Sequence, residues 1–83
     1  MHQRFNKRLI RLDNYIYFVK TEILDNFPYL AGKFHWSDGT IVWTFLESMP
    51  IFTNAEYVGL IEGSILHLYF SNKEYALIFK LLY

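Results

Sequence analysis

A chain of 83 residues with a hydrophobic fraction of 53%, eight basic and eight acidic side chains and no cysteine is long enough for one core and too short for two, so one domain over residues 1–83 is expected. The missing cysteines exclude a disulfide scaffold and thiolate metal ligands. Eight Phe, seven Tyr and two Trp exclude a disordered chain, and Glu62, Gly63 and His67 break the longest apolar run before it could span a membrane.

The first twelve residues alternate basic with apolar side chains, unlike the apolar block of a signal peptide, so a cytoplasmic protein without membrane association is expected. Arg4, Lys7, Arg8 and Arg11 precede the first acid, Asp13, whereas four lysines face eight acids in the rest of the chain. Phe5, Leu9, Leu12 and Ile16 recur at helical spacing beside Arg4, Arg8 and Arg11, which predicts a short amphipathic helix over residues 2–12. A hairpin turned at Asp13-Asn14 ranks second, because its faces would mix arginine with apolar residues.

Residues 15–20 read as a strand, and residues 21–32 have room for one helical turn before Pro28. Asp38-Gly39 then predicts a type I′ hairpin over residues 33–46. Counting outward from that turn gathers Phe34, Trp36, Ile41, Trp43 and Phe45 on one face and Lys33, His35, Ser37, Thr40, Val42 and Thr44 on the other. Residues 47–54, with Pro50, read as loop.

Turns at Glu62-Gly63 and Asn72-Lys73 predict a meander over residues 57–82. Both turns agree on one apolar face, made of Tyr57, Gly59, Ile61, Leu66, Leu68, Phe70, Tyr75, Leu77, Phe79 and Leu81. A helix competes for the last segment, since Ser71 to Glu74 matches a capping box, but the β-branched and aromatic content of Tyr75, Ile78, Phe79 and Tyr83 favours a strand. The fold class read from these elements is mainly β or α+β: a small antiparallel sheet of five to six strands, comprising the meander, the hairpin and the strand at 15–20, with a short amino-terminal helix.

Chemistry is hard to assemble from these residues. His2, His35 and His67 sit in no metal-ligand or acid–base spacing, the acids are dispersed, no serine occupies a nucleophile elbow, and Gly32, Gly39, Gly59 and Gly63 are isolated. A non-enzymatic protein with no metal and no cofactor is expected. A single-stranded DNA or RNA binding module would use aromatic platforms with Arg4, Lys7, Arg8 and Arg11, but the acidic body would repel phosphate, so nucleic acid is the second choice.

The first choice is a protein–protein interaction module. The face opposite the meander's main apolar row is itself apolar and needs a cover, which points to Val58, Leu60, Ile65, His67, Tyr69 and Ile78 as an interface with a protein partner or a second copy, making a homodimer the expected state. Free edge strands offer β-augmentation as another route. Small regulators and inhibitors, including phage-encoded viral proteins, work by such contacts, which is an analogy of class.

Overall fold

Tyr57–Glu62 (β3) and Ile65–Phe70 (β4) form the centre of the sheet, joined by a two-residue turn in which Gly63 takes φ +61°, where an L side chain would be strained. They pair antiparallel with Tyr57 opposite Phe70 and Glu62 opposite Ile65. The turn therefore falls at Gly63-Ser64, one residue later than the sequence reading. That displacement shifts each partner by two residues, so Tyr57, Gly59 and Ile61 still share a face with Leu66, Leu68 and Phe70.

The computed structural model describes residues 4–12 and 17–83. Its element order is β1 (Arg8–Arg11), α1 (Tyr17–Asn26), β2 (Tyr29–His35), α2 (Trp36–Ser48), a 3₁₀ turn (Pro50–Phe52), β3, β4 and α3 (Lys73–Leu82). The four strands lie in the order β1-β3-β4-β2, with β1 parallel to β3 and the other pairs antiparallel. This is a mixed α+β fold, so the expected antiparallel sheet of five to six strands is corrected at four places.

Residues 4–7 form a turn and Arg8–Arg11 a strand, where an amphipathic helix over 2–12 was expected; Met1 to Gln3 and Asp13 to Ile16 lie outside the described residues. The turn is tied to the start of β3, because Tyr57 N–H donates to Asn6 Oδ1 at 3.1 Å and Lys7 Nζ donates to the Thr53 carbonyl at 2.7 Å. The strand expected over 15–20 is replaced, where it is described, by the first turns of α1. Val19, Ile23 and Phe27 continue at i, i+4 spacing, and a six-residue window cuts that helical row short. Pro28 closes the helix.

The hairpin over 33–46 is absent: Lys33 to His35 end β2, and Trp36–Ser48 is helical. Local propensity opposes this helix, since Gly39 costs about 1 kcal/mol relative to Ala and each residue from Thr40 to Phe45 costs up to about 0.7 kcal/mol. Burial overrides it. Val42 and Leu46 are fully buried, and Gly39 is a packing glycine, since a Cβ there would lie 2.6 Å from the Trp36 ring and 3.4 Å from Leu66 Cδ2. His35 caps the helix, its ring accepting from Ser37 N–H at 3.2 Å.

The final strand of the meander is also a helix. Asn72 caps α3 by accepting from Glu74 N–H at 2.7 Å, with Glu74 in the first turn and Lys80 in the last, both suited to the helix dipole. The expected capping box at Ser71 is not formed: the cap is the next residue, Asn72, and the Ser71 hydroxyl donates to Glu56 Oε1 at 3.3 Å.

Helices cover both faces of the sheet. On one, Tyr57, Leu68 and Phe70 join Ala31, Val42, Leu46, Phe52, Ala55, Ala76 and Phe79 beneath α2, the 3₁₀ turn and α3. Its rings touch edge-on or tilted, Tyr57 with Phe70 at 5.6 Å and Phe52 with Phe79 at 6.2 Å between centroids. On the other, Val58 and Leu60 join Ile10, Ile23, Phe27 and Phe5, with α1 as the cover.

Candidate interaction surface

The six residues expected at an interface separate into three groups. Val58 and Leu60 are completely buried, because α1 supplies within the chain the cover that the sequence reading sought outside it. Ile65, His67 and Tyr69, from β4 on the same sheet face, are half-buried, opposite His35, Lys33 and Leu30 of β2 respectively. Ile78 belongs to α3 on the opposite layer, where it packs, half-buried, against the aromatic core.

The end of the chain is more open. Leu77, Leu81, Leu82 and Tyr83 are 47%, 86%, 49% and 49% exposed, so half of the eight exposed large apolar side chains found among the described residues lie in the last seven positions. Leu77 and Leu81 stand one helical turn apart on the outer face of α3, while Ala76 and Phe79 face the core. The sequence contained this row as the i, i+4 pair of the competing helix, but a period of two placed both leucines inside. On α2, Thr40, Ile41, Thr44, Phe45 and Ser48 line an open groove of about 410 Å³. The rings of Phe45 and Tyr83 are 5.1 Å apart, which connects the groove to the end of α3.

The sheet edges are poor templates for another strand. β2 carries an irregularity between Leu30 and Gly32 and an exposed Lys33, while β1 is four residues long with exposed Arg8 and Arg11. A bulge, charged side chains and short length are the features that blunt strand edges.

The four cations of the basic leader are exposed, and three of them make contacts within the chain. Arg4 lies 3.7 Å from Glu22, Lys7 sits 5.9 Å from the Tyr57 ring centre, and Arg11 is 5.8 Å from the Trp36 ring centre. Arg8 is exposed. Of the rings on the strands, Tyr57 and Phe70 are buried beneath helices, Phe34 and Tyr69 are half-buried and Tyr29 is exposed.

Titratable groups meet in two places. Lys20 Nζ and Glu62 Oε1 form an ion pair at 2.6 Å. Burial, with a smaller contribution from Glu62 against an opposing one from Lys20, raises the neighbouring Tyr69 phenol above its usual value. Burial and then Glu47 do the same for Tyr57, which borders a pocket of about 290 Å³ with Lys7, Glu47 and Thr53. His67 Nδ1 lies 3.4 Å from the Leu60 carbonyl, and His35 is occupied in capping. Among the described residues no three His, Asp or Glu side chains gather as metal ligands, and no helix is long and apolar enough to cross a membrane.

The raised phenols give a pH prediction. A tyrosine whose folded pKa lies above its unfolded value, ordinarily 10.0, contributes stability that is complete below that value and lost as pH rises through the folded one. Thermal melts should therefore show a falling midpoint above about pH 10, and the Tyr57→Phe/Tyr69→Phe chain should show a smaller fall. An equal decline in both proteins would assign the alkaline sensitivity elsewhere.

Compared with models of known protein families, with curated proteins and with solved structures, the chain finds no match.

Proposed function

We propose that this chain is a small non-enzymatic protein-binding module that acts by contact, with the outer row of α3 as its contact surface and a second copy of the chain as its first partner. The observation that supports this reading is the concentration of exposed apolar side chains at Leu77, Leu81, Leu82 and Tyr83, beside a core that is otherwise closed. Leu77 and Leu81 share one outer face of the helix, and apolar side chains left together in water are characteristic of protein contacts. Neighbouring Lys73, Glu74 and Lys80 give the row a mixed-charge rim, the usual anatomy of a contact site. A regulator or inhibitor that occupies a surface on a larger macromolecule would use the same row. Nucleic acid is a weaker reading, because Arg4, Lys7 and Arg11 each make a contact within the chain and the central rings Tyr57 and Phe70 are buried.

Sedimentation at micromolar concentration tests the proposal. The unmodified chain is expected to sediment as a dimer, and Leu77→Glu/Leu81→Glu as a folded monomer with an unchanged far-ultraviolet circular dichroism spectrum. A dimer that survives the double substitution would remove α3 from the contact, and a monomeric unmodified chain would remove the second copy as partner.

A further inference from the structure

Separate stretches of the chain converge on the cavity of about 290 Å³ beside Tyr57. The amino-terminal turn supplies Lys7, the end of α2 supplies Leu46 and Glu47, the 3₁₀ turn and the residue after it supply Phe52 and Thr53, and β3 supplies Tyr57. Leu46 and Phe52 are almost wholly buried and form an apolar floor, whereas Lys7 and Glu47 are exposed.

Lys7 is held here in a backbone conformation that L side chains rarely adopt. Among the described residues it alone, glycine aside, has a positive φ, 57°. Hydrogen bonds fix it: its N–H donates to the Tyr57 carbonyl, and its Nζ donates to the Thr53 carbonyl at 2.7 Å. That leaves further N–H groups of the ammonium free to donate. Strained residues fixed by their surroundings cluster at ligand sites.

The polar groups of the cavity are not spent on each other. Among the described residues neither the Lys7 ammonium nor the Glu47 carboxylate forms an ion pair, although both line one cavity. The Tyr57 hydroxyl makes no hydrogen bond among them either. Because no described side-chain polar atom is buried without a partner, that hydroxyl must open on the cavity. Burial and then Glu47 raise its pKa, which keeps it a neutral donor.

These features select the chemistry of a ligand. Ligand sites span roughly 300–1,000 Å³, so a cavity of about 290 Å³ admits a molecule the size of one amino acid and excludes a nucleotide. An anion alone would meet Glu47, and a cation alone would meet Lys7. An apolar molecule would strip water from both charges and replace it with nothing. A molecule with both charges beside an apolar body avoids all three penalties.

We propose that this cavity binds the zwitterion of an apolar α-amino acid. Its carboxylate lies on the Lys7 ammonium and the Tyr57 hydroxyl, its ammonium on the Glu47 carboxylate, and its side chain over Leu46 and Phe52. The site shares no residue with the outer row of α3, so it is a second function beside protein contact.

Titration of the full chain with L-leucine and with L-methionine at neutral pH, followed by backbone amide chemical shifts, is the test. Saturable shifts are expected at Lys7, Glu47, Thr53 and Tyr57, with a dissociation constant of about 1 mM or lower. Isocaproate, which lacks the ammonium, and isoamylamine, which lacks the carboxylate, should each bind about tenfold or more weakly than leucine. Glu47→Gln, a conservative change at an exposed position, should weaken leucine by about tenfold or more without moving the melting midpoint. Lys7→Met should do the same to binding, and if loss of its bond to Thr53 unfolds the chain, Glu47→Gln decides alone. No saturable shift with either amino acid, shifts confined to α3, equal affinity for the singly charged analogues, or unchanged affinity in Glu47→Gln would each overturn the proposal.

Discussion

Phe27→Ala is expected to lose about 3–5 kcal/mol of unfolding free energy, the range for removing a large buried ring that leaves a cavity. Phe27 is completely buried although it belongs to no strand. It follows α1 directly, its N–H donating to the Ile23 carbonyl at 2.9 Å, and it packs with Ile23, Val58, Leu60 and Ile10 on the second face of the sheet. If that face were open, truncation here would resemble a surface substitution, within about 0.5 kcal/mol. Urea denaturation of the two proteins measures the difference. A loss of several kcal/mol identifies α1 as an internal cover, whereas a negligible one would return Val58 and Leu60 to the interface first expected of them.

Ala76→Asp should destabilise by about 3 kcal/mol or more, because it buries a carboxylate without a partner at a position that is 3% exposed. Leu77→Asp, one residue along, should retain a cooperative transition, because Leu77 is 47% exposed. The pair distinguishes the two periodicities of residues 73–82. A strand in the predicted register would turn Leu77 inward and Ala76 outward and invert the outcome. Chemical denaturation of both variants at low protein concentration, where self-association does not add to stability, gives the comparison.

The strand pair β3–β4 was legible in the sequence because Gly63 fixes a tight turn and both strands alternate strongly about it. Face membership survived a turn placed one residue early, since side chains change face only when the partner sum changes by an odd number. The last segment was half legible. The sequence placed a helix cap there, one residue early, but a composition so rich in apolar residues satisfied periods of two and of 3.6 alike, and aromatic content tipped the reading the wrong way.

α2 could not be read locally. Asp38-Gly39, followed by β-branched and aromatic residues, has every local feature of a hairpin, and only the space above Leu66 and the buried seats of Val42 and Leu46 make a helix the better solution. The contact surface inherited both errors. With α1 read as strand, Val58 and Leu60 were left needing an external cover; with α3 read as strand, Leu77 and Leu81 were assigned to the core. The half-buried Ile65, His67 and Tyr69 are what remains accessible of the expected site on β4.

Backbone carbon chemical shifts test the central claim, that α2 and α3, instead of a hairpin and a final strand, cover one face of the sheet and turn Leu77 and Leu81 outward. Helical Cα displacements are expected throughout residues 37–47 and 74–81. Strand-like displacements over these residues, broken by a turn at Asp38-Gly39, would contradict the account.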